Sequence, residues 1–88
     1  MTPIHQVLAR IRWDPEFGRG HFELAYLDRL EKRLVRVPLE SVVFRPEDRF
    51  GFQAVEADGS VHSVPYHRVR ELWRDGELIW SRAARQRG

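Results

Sequence analysis

The side chains best equipped for chemistry lie between positions 64 and 80, Val-Pro-Tyr-His-Arg-Val-Arg-Glu-Leu-Trp-Arg-Asp-Gly-Glu-Leu-Ile-Trp. Within this block Tyr66, His67, Arg68 and Arg70 crowd into five positions. Imidazole and guanidinium both donate hydrogen bonds to phosphate oxygens, and a phenol donates its hydroxyl or stacks on a base. The chemistry that fits is the holding of a phosphate and a nucleobase. The competing structural reading has His67 hydrogen-bonded inside the core and the arginines spread over a solvated strand face. Arg12, at the end of a predicted first helix, is the other early candidate for a phosphate contact.

Catalysis demands more than the chain offers. The two-histidine phosphoesterases use paired His-x-Ser/Thr motifs, whereas His62-Ser63-Val64 lacks a hydroxyl at its third position and His5, His21 and His67 have none two residues on. No spacing selects an acid or base partner for His67. A Gly-x-x-x-x-Gly-Lys phosphate loop, a His-Glu-x-x-His metal pair and a Gly-x-Ser-x-Gly elbow are all missing from the sequence. Binding is therefore favoured over catalysis, with no cofactor and no metal expected.

A strand-turn-strand must position the block. Asp75-Gly76 suits a type I′ turn, which needs positive φ at both central residues. Strict alternation from that turn pairs Arg74 with Glu77, Trp73 with Leu78, Leu72 with Ile79, Glu71 with Trp80 and Arg70 with Ser81. Val69, Glu71, Trp73, Leu78 and Trp80 then form the core face, and Arg68, Arg70, Leu72, Arg74 and Ile79 the other. Tyr66, Arg68 and Arg70 share a surface with His67 only if the strand starts after His67 or Pro65 introduces a bulge.

Upstream, Thr2 is placed to cap a helix starting at Pro3, with Ile4, Val7, Leu8 and Ile11 on one face. Asp14 before Pro15 ends it near Trp13. Trp13 is expected to be the principal core indole, with Asp14 turning the chain. Phe22, Leu24 and Tyr26 alternate into a strand ending at Asp28, and Leu34 to Leu39 is a second strand. Leu24, Leu27, Leu30 and Leu34 also fit helical spacing, but period two is the better match. Ser41 to Asp48 is a connection. Phe50–Glu56 and Val61–Val64 form another hairpin, with Asp58-Gly59 assigned the same turn chemistry. The fold class expected is α+β, an N-terminal helix on a curled antiparallel sheet or small barrel of about six short strands.

The 88 residues make one domain, assigned to 1–82, with a frayed basic tail at 83–88. A chain of this length buries only a little over ~60% of its unfolded surface, leaving room for a thin core and a surface site. Cysteine is absent, which removes disulfides and thiolate metal sites and fits a reducing cytoplasm. No apolar run approaches the ~18 residues of a membrane helix. Fourteen arginines stand against one lysine, yet the net charge is only +2, too small for a non-specific nucleic-acid binder. The arginine bias itself fits the codon usage of a GC-rich genome.

Taken together, Pro65-Tyr66-His67-Arg68-Val69, the Gly76 turn, Ile79-Trp80 and Arg12-Trp13-Asp14-Pro15 resemble the RNA-repair domain family, also called RNA cyclic group end recognition domains. The resemblance runs from the first helix to Arg82. It implies binding of RNA 3′ ends carrying a 2′,3′-cyclic phosphate, in partnership with an RNA ligase or phosphoesterase. Tyr26 and Arg29 resemble a Tyr-x-x-Arg element at the end of the family's first strand. If the first and final strands are neighbours, Arg29 converges with Arg68 on one phosphate. The expected site is then His67, Arg68, Arg70, Tyr66, Arg29 and Arg12. The alternatives are a protein-interaction domain using exposed hairpin edges and, less favoured, a cyclic phosphodiesterase.

Overall fold

The structure, a computed structural model, describes residues 2–82; the tail assigned to 83–88 lies outside the described residues. One helix, α1 (Ile4–Trp13), precedes seven strands: β1 (Phe22–Asp28), β2 (Arg33–Pro38), β3 (Val42–Val43), β4 (Gly51–Val55), β5 (Val61–Pro65), β6 (Val69–Arg74) and β7 (Glu77–Ser81). They form two antiparallel sheets, ordered β2-β1-β6-β7 and β3-β4-β5, with no closed barrel among the described residues. The expected α+β class is therefore found, with one short strand more than anticipated. That strand, β3, lies in the stretch read as a connection.

Both sheets and α1 share one core. Ile4 and Leu8 enter it from the helix, Phe22, Leu24, Tyr26, Val69, Leu72 and Trp80 from the larger sheet, and Phe52, Ala54 and Val64 from the smaller. Val7 and Ile11 pack against its edge, as the apolar spacing of α1 requires. The helix start differs from expectation. Pro3 is the N-cap and no side chain caps the helix; the Pro3 carbonyl instead accepts from the amides of Gln6 and Val7. Trp13 is also corrected: its side chain is 69% exposed. The buried indole is Trp80, whose Nε1 donates to the Thr2 carbonyl at 2.7 Å. Asp14 does turn the chain, its Oδ1 accepting from the amides of Glu16 and Phe17.

The last hairpin has the expected turn, with φ of 50° at Asp75 and 83° at Gly76. Its first two pairs, Arg74 with Glu77 and Trp73 with Leu78, are as alternation requires, and then the register slips. Ile79 is an extra residue, so Leu72 pairs with Trp80 and Glu71 with Ser81. Between β1 and β6 a second irregularity leaves Arg70 between the pairs Ala25–Glu71 and Tyr26–Val69. An extra residue in one strand of a pair reverses the facing of everything beyond it. This is why Val69 and Leu72 are both buried at a spacing of three, while Leu78 and Ile79 are exposed. The assigned faces of the hairpin are corrected accordingly.

The second hairpin is not a two-residue turn. Val55 pairs with Val61 across a five-residue loop, closed by the Glu56 amide on the Ser60 carbonyl and the Gly59 amide on the Glu56 carbonyl. Gly51, where β4 begins, is required by crowding: a Cβ there would overlap the Val64 carbonyl oxygen and lie 2.9 Å from Pro65 Cα. Next to it the Tyr66 amide donates to the Phe50 carbonyl at 2.8 Å, fixing the start of the turn after β5.

Candidate nucleic-acid interface

β1 ends at Asp28, and its carboxylate shapes the turn into β2. Asp28 Oδ1 accepts the amides of Leu30 at 2.8 Å and Glu31 at 3.1 Å, and its carbonyl accepts the Lys32 amide. The resulting turn, with Lys32 at φ 56°, presents Arg29 at its tip. On the other side, Pro65 stops β5 and residues Tyr66–Arg68 form a single 3₁₀ turn. Pairing of Tyr26 with Val69 then sets Arg68, immediately before Val69, beside the end of β1.

A cleft of about 290 Å³ lies here, lined by the end of β1 and its turn, by Val61, His62, Ser63 and Val64 of β5, and by Arg68. Arg29 and Arg68 both line it, and among the described residues neither guanidinium makes an ion pair, a side-chain hydrogen bond or an aromatic contact. Other arginines are engaged: Arg10 with Asp14, Arg33 with Glu31, Arg36 with Glu23 and Arg45 with Glu47. Tyr26 also lines the cleft, 3% exposed, and its hydroxyl is buried without a hydrogen-bond partner. Burial pushes this phenol up from its ordinary pKa, and the charges of Glu56 and Asp28 add to the effect. It is thus a protonated donor at neutral pH. His62 Nε2 lies 3.2 Å from Glu56 Oε2. The amides of Glu31 and Leu30 hold the Asp28 carboxyl below its ordinary value, so the cleft contains a carboxylate as well.

Of the six residues singled out from the sequence, the structure brings Arg29 and Arg68 to this cleft and does not bring the other four. His67 is exposed, on the same 3₁₀ turn as Arg68 but outside the cleft lining, so it is not the core histidine of the competing reading. Tyr66 is half-buried, its ring 5.8 Å from Phe52 and 6.0 Å from His5. Burial raises its hydroxyl above the ordinary phenol value, opposed by the nearby Arg12 charge. Arg70 donates from Nη1 to the His67 carbonyl at 2.8 Å and lines a separate groove with Leu34 and Leu78. Arg12 lies over the Phe44 ring at 4.8 Å, in a third groove. Trp80 is buried, while Leu78 and Ile79 beside it on β7 are exposed.

Eight of the ten residues lining the cleft were not among the six, and the polar ones are Tyr26, Asp28, His62 and Ser63. Period two in β5 carried a usable signal for His62. It precedes the core residue Val64 by two and pairs with the buried Ala54, so it shares their inward face.

The family model of the MJ1316 RNA cyclic group end recognition domain matches residues 1–82. The chain belongs to this family. No solved structure matches it. The described part of the RNA cyclic group end recognition domain thus carries, beside its central strand β1, a cleft with two unengaged cations and one orphaned donor. Among those residues no group of three or more His, Cys, Asp or Glu is placed to hold a metal ion, and no helix is long and apolar enough to cross a membrane.

Proposed function

We propose that this cleft receives the terminal 2′,3′-cyclic phosphate of an RNA strand and holds it without chemical conversion. The observation that carries the reading is the pairing of two unengaged guanidiniums, Arg29 and Arg68, with the buried, unpartnered Tyr26 hydroxyl in one cleft. Guanidinium forks match the two non-bridging oxygens of a phosphate, and charge-assisted bonds of this kind are about twice as strong as neutral ones. The Tyr26 phenol supplies a third donor from the apolar side. His67, exposed one residue before Arg68, is available to the phosphate of the preceding nucleotide. Tyr66 is engaged with Phe52 and His5 and is not assigned a stacked base. Retention without conversion suits a module that delivers damaged or processed 3′ ends to a separate RNA ligase or phosphoesterase.

Short RNAs of one sequence ending in cyclic phosphate, 3′-phosphate or hydroxyl test the reading by equilibrium binding. The cyclic end is expected to bind tightest, with a shallow salt dependence of roughly −0.7 in log K per log salt for each phosphate contacted. Equal affinity for all three ends would remove it.

Tyr26→Phe separates the hydroxyl from the packing. Removing a buried donor that has no partner is expected to leave thermal stability unchanged or raised, because its desolvation is uncompensated in the free protein. Binding of the cyclic end should weaken by about tenfold. Equal affinity in the variant and the parent would take the phenol out of the site.

A further inference from the structure

Asp28 is out of place in a cleft built for phosphate. Asp28 lines the same cleft as Arg29 and Arg68, and its negative charge opposes any anion that enters. Oδ1 is committed to the amides of Leu30 and Glu31, while Oδ2 receives no hydrogen bond among the described residues. The other titratable groups facing the cleft are His62, which is paired with Glu56, and the Tyr26 phenol. Glu56 offsets any charge on the His62 imidazole, so the pair adds no positive charge to the cleft. Two guanidiniums and one carboxylate therefore give the cleft a positive charge of no more than one.

That balance bears on which phosphate the cleft accepts. A 2′,3′-cyclic phosphate is a diester with a single negative charge. A 3′-phosphomonoester has a second ionisation near pH ~6 and carries about −1.5 to −2 at pH 7. We propose that Asp28 is a specificity-determining residue, whose carboxylate rejects the doubly charged monoester end more strongly than the singly charged cyclic end. Discrimination of this kind uses a repulsive element against the competitor as well as attraction to the ligand. The inference rests on the reading of the cleft as the site for the RNA end.

The test uses the full chain and its Asp28→Asn variant. Asparagine keeps an Oδ1 acceptor for both turn amides and removes only the charge. One short RNA sequence is offered with three ends: 2′,3′-cyclic phosphate, 3′-phosphate, and the methyl ester of the 3′-phosphate, which has one charge and no ring. In the parent the methyl ester is expected to bind with the cyclic end rather than with the monoester. In Asp28→Asn, monoester binding strengthens by about tenfold and binding of both singly charged ends by about threefold or less, narrowing the preference. A merely structural Asp28 would leave the ratio between ends unmoved. An unchanged ratio, or a methyl ester that behaves like the monoester, overturns the inference while leaving the cleft as the binding site. A parent protein that binds no phosphorylated end better than the hydroxyl end overturns both.

Discussion

Arg68→Ala is expected to weaken binding of a cyclic-phosphate RNA end by about ten- to a hundredfold, with Arg29→Ala close behind it. A hydrogen bond to a charged group contributes about 1.5–3 kcal/mol, and each 1.4 kcal/mol is a factor of ten in affinity. Arg68 should be the more sensitive, because it is half-buried on a 3₁₀ turn whereas Arg29 sits exposed at the tip of its own turn. If both grip one phosphate, as proposed, the double variant should lose less than the product of the two single effects. The salt dependence should become shallower in each single variant by no more than roughly 0.7 in the log–log slope. Neither side chain is engaged elsewhere among the described residues, so the melting temperature should not move. Arg45→Ala is the matched control, since Arg45 faces Gln53 and Glu47 outside the cleft. Loss of affinity in Arg45→Ala equal to that in Arg68→Ala would show a diffuse electrostatic surface and no defined site.

Phe52→Ala should be the most damaging single change to the fold, with a loss of about 3–5 kcal/mol. Phe52 is 1% exposed, lies 5.9 Å from Phe44 and 5.8 Å from Tyr66 by ring centroid, and belongs to the core that both sheets share. Domains are stable by only about 5–15 kcal/mol in total, so the loss would consume much of the margin. In a domain of this size each kcal/mol moves the midpoint by about 4–8 °C. Phe50, two residues earlier, is 81% exposed, and Phe50→Ala should change stability by less than about 0.5 kcal/mol. Urea unfolding of the two variants side by side checks the contrast; similar midpoints would place the core elsewhere.

The features legible in the sequence are those set by local chemistry. Asp75-Gly76 declares its turn because few residue pairs tolerate two positive φ angles, and both are found there. Phe22, Leu24 and Tyr26 declare β1 by alternation, and all three are buried. The link between Arg29 and Arg68 requires that the first strand and a final strand be neighbours, and β1 does pair with β6. The illegible features depend on one-residue departures from alternation. Nothing in Leu78-Ile79-Trp80 distinguishes a regular strand from one with Ile79 set aside, because all three residues are apolar. Only the shared core, which takes Leu72 together with Trp80, decides between the two. Tyr66-His67-Arg68 likewise reads as strand or turn, and the Pro65 ahead of it suits either. Trp13 misleads through its size: the face of α1 that meets the core runs through Ile4, Val7, Leu8 and Ile11, and Trp13 lies off it.

The bond from the Trp80 indole to the Thr2 carbonyl ties the start of the described chain to its last strand. The helix entry is therefore held by a residue 78 positions away, and local opening at one extremity loosens the other. Loosening that tie, as Trp80→Phe would, should fray the helix start before it disturbs the arginine cleft on β1.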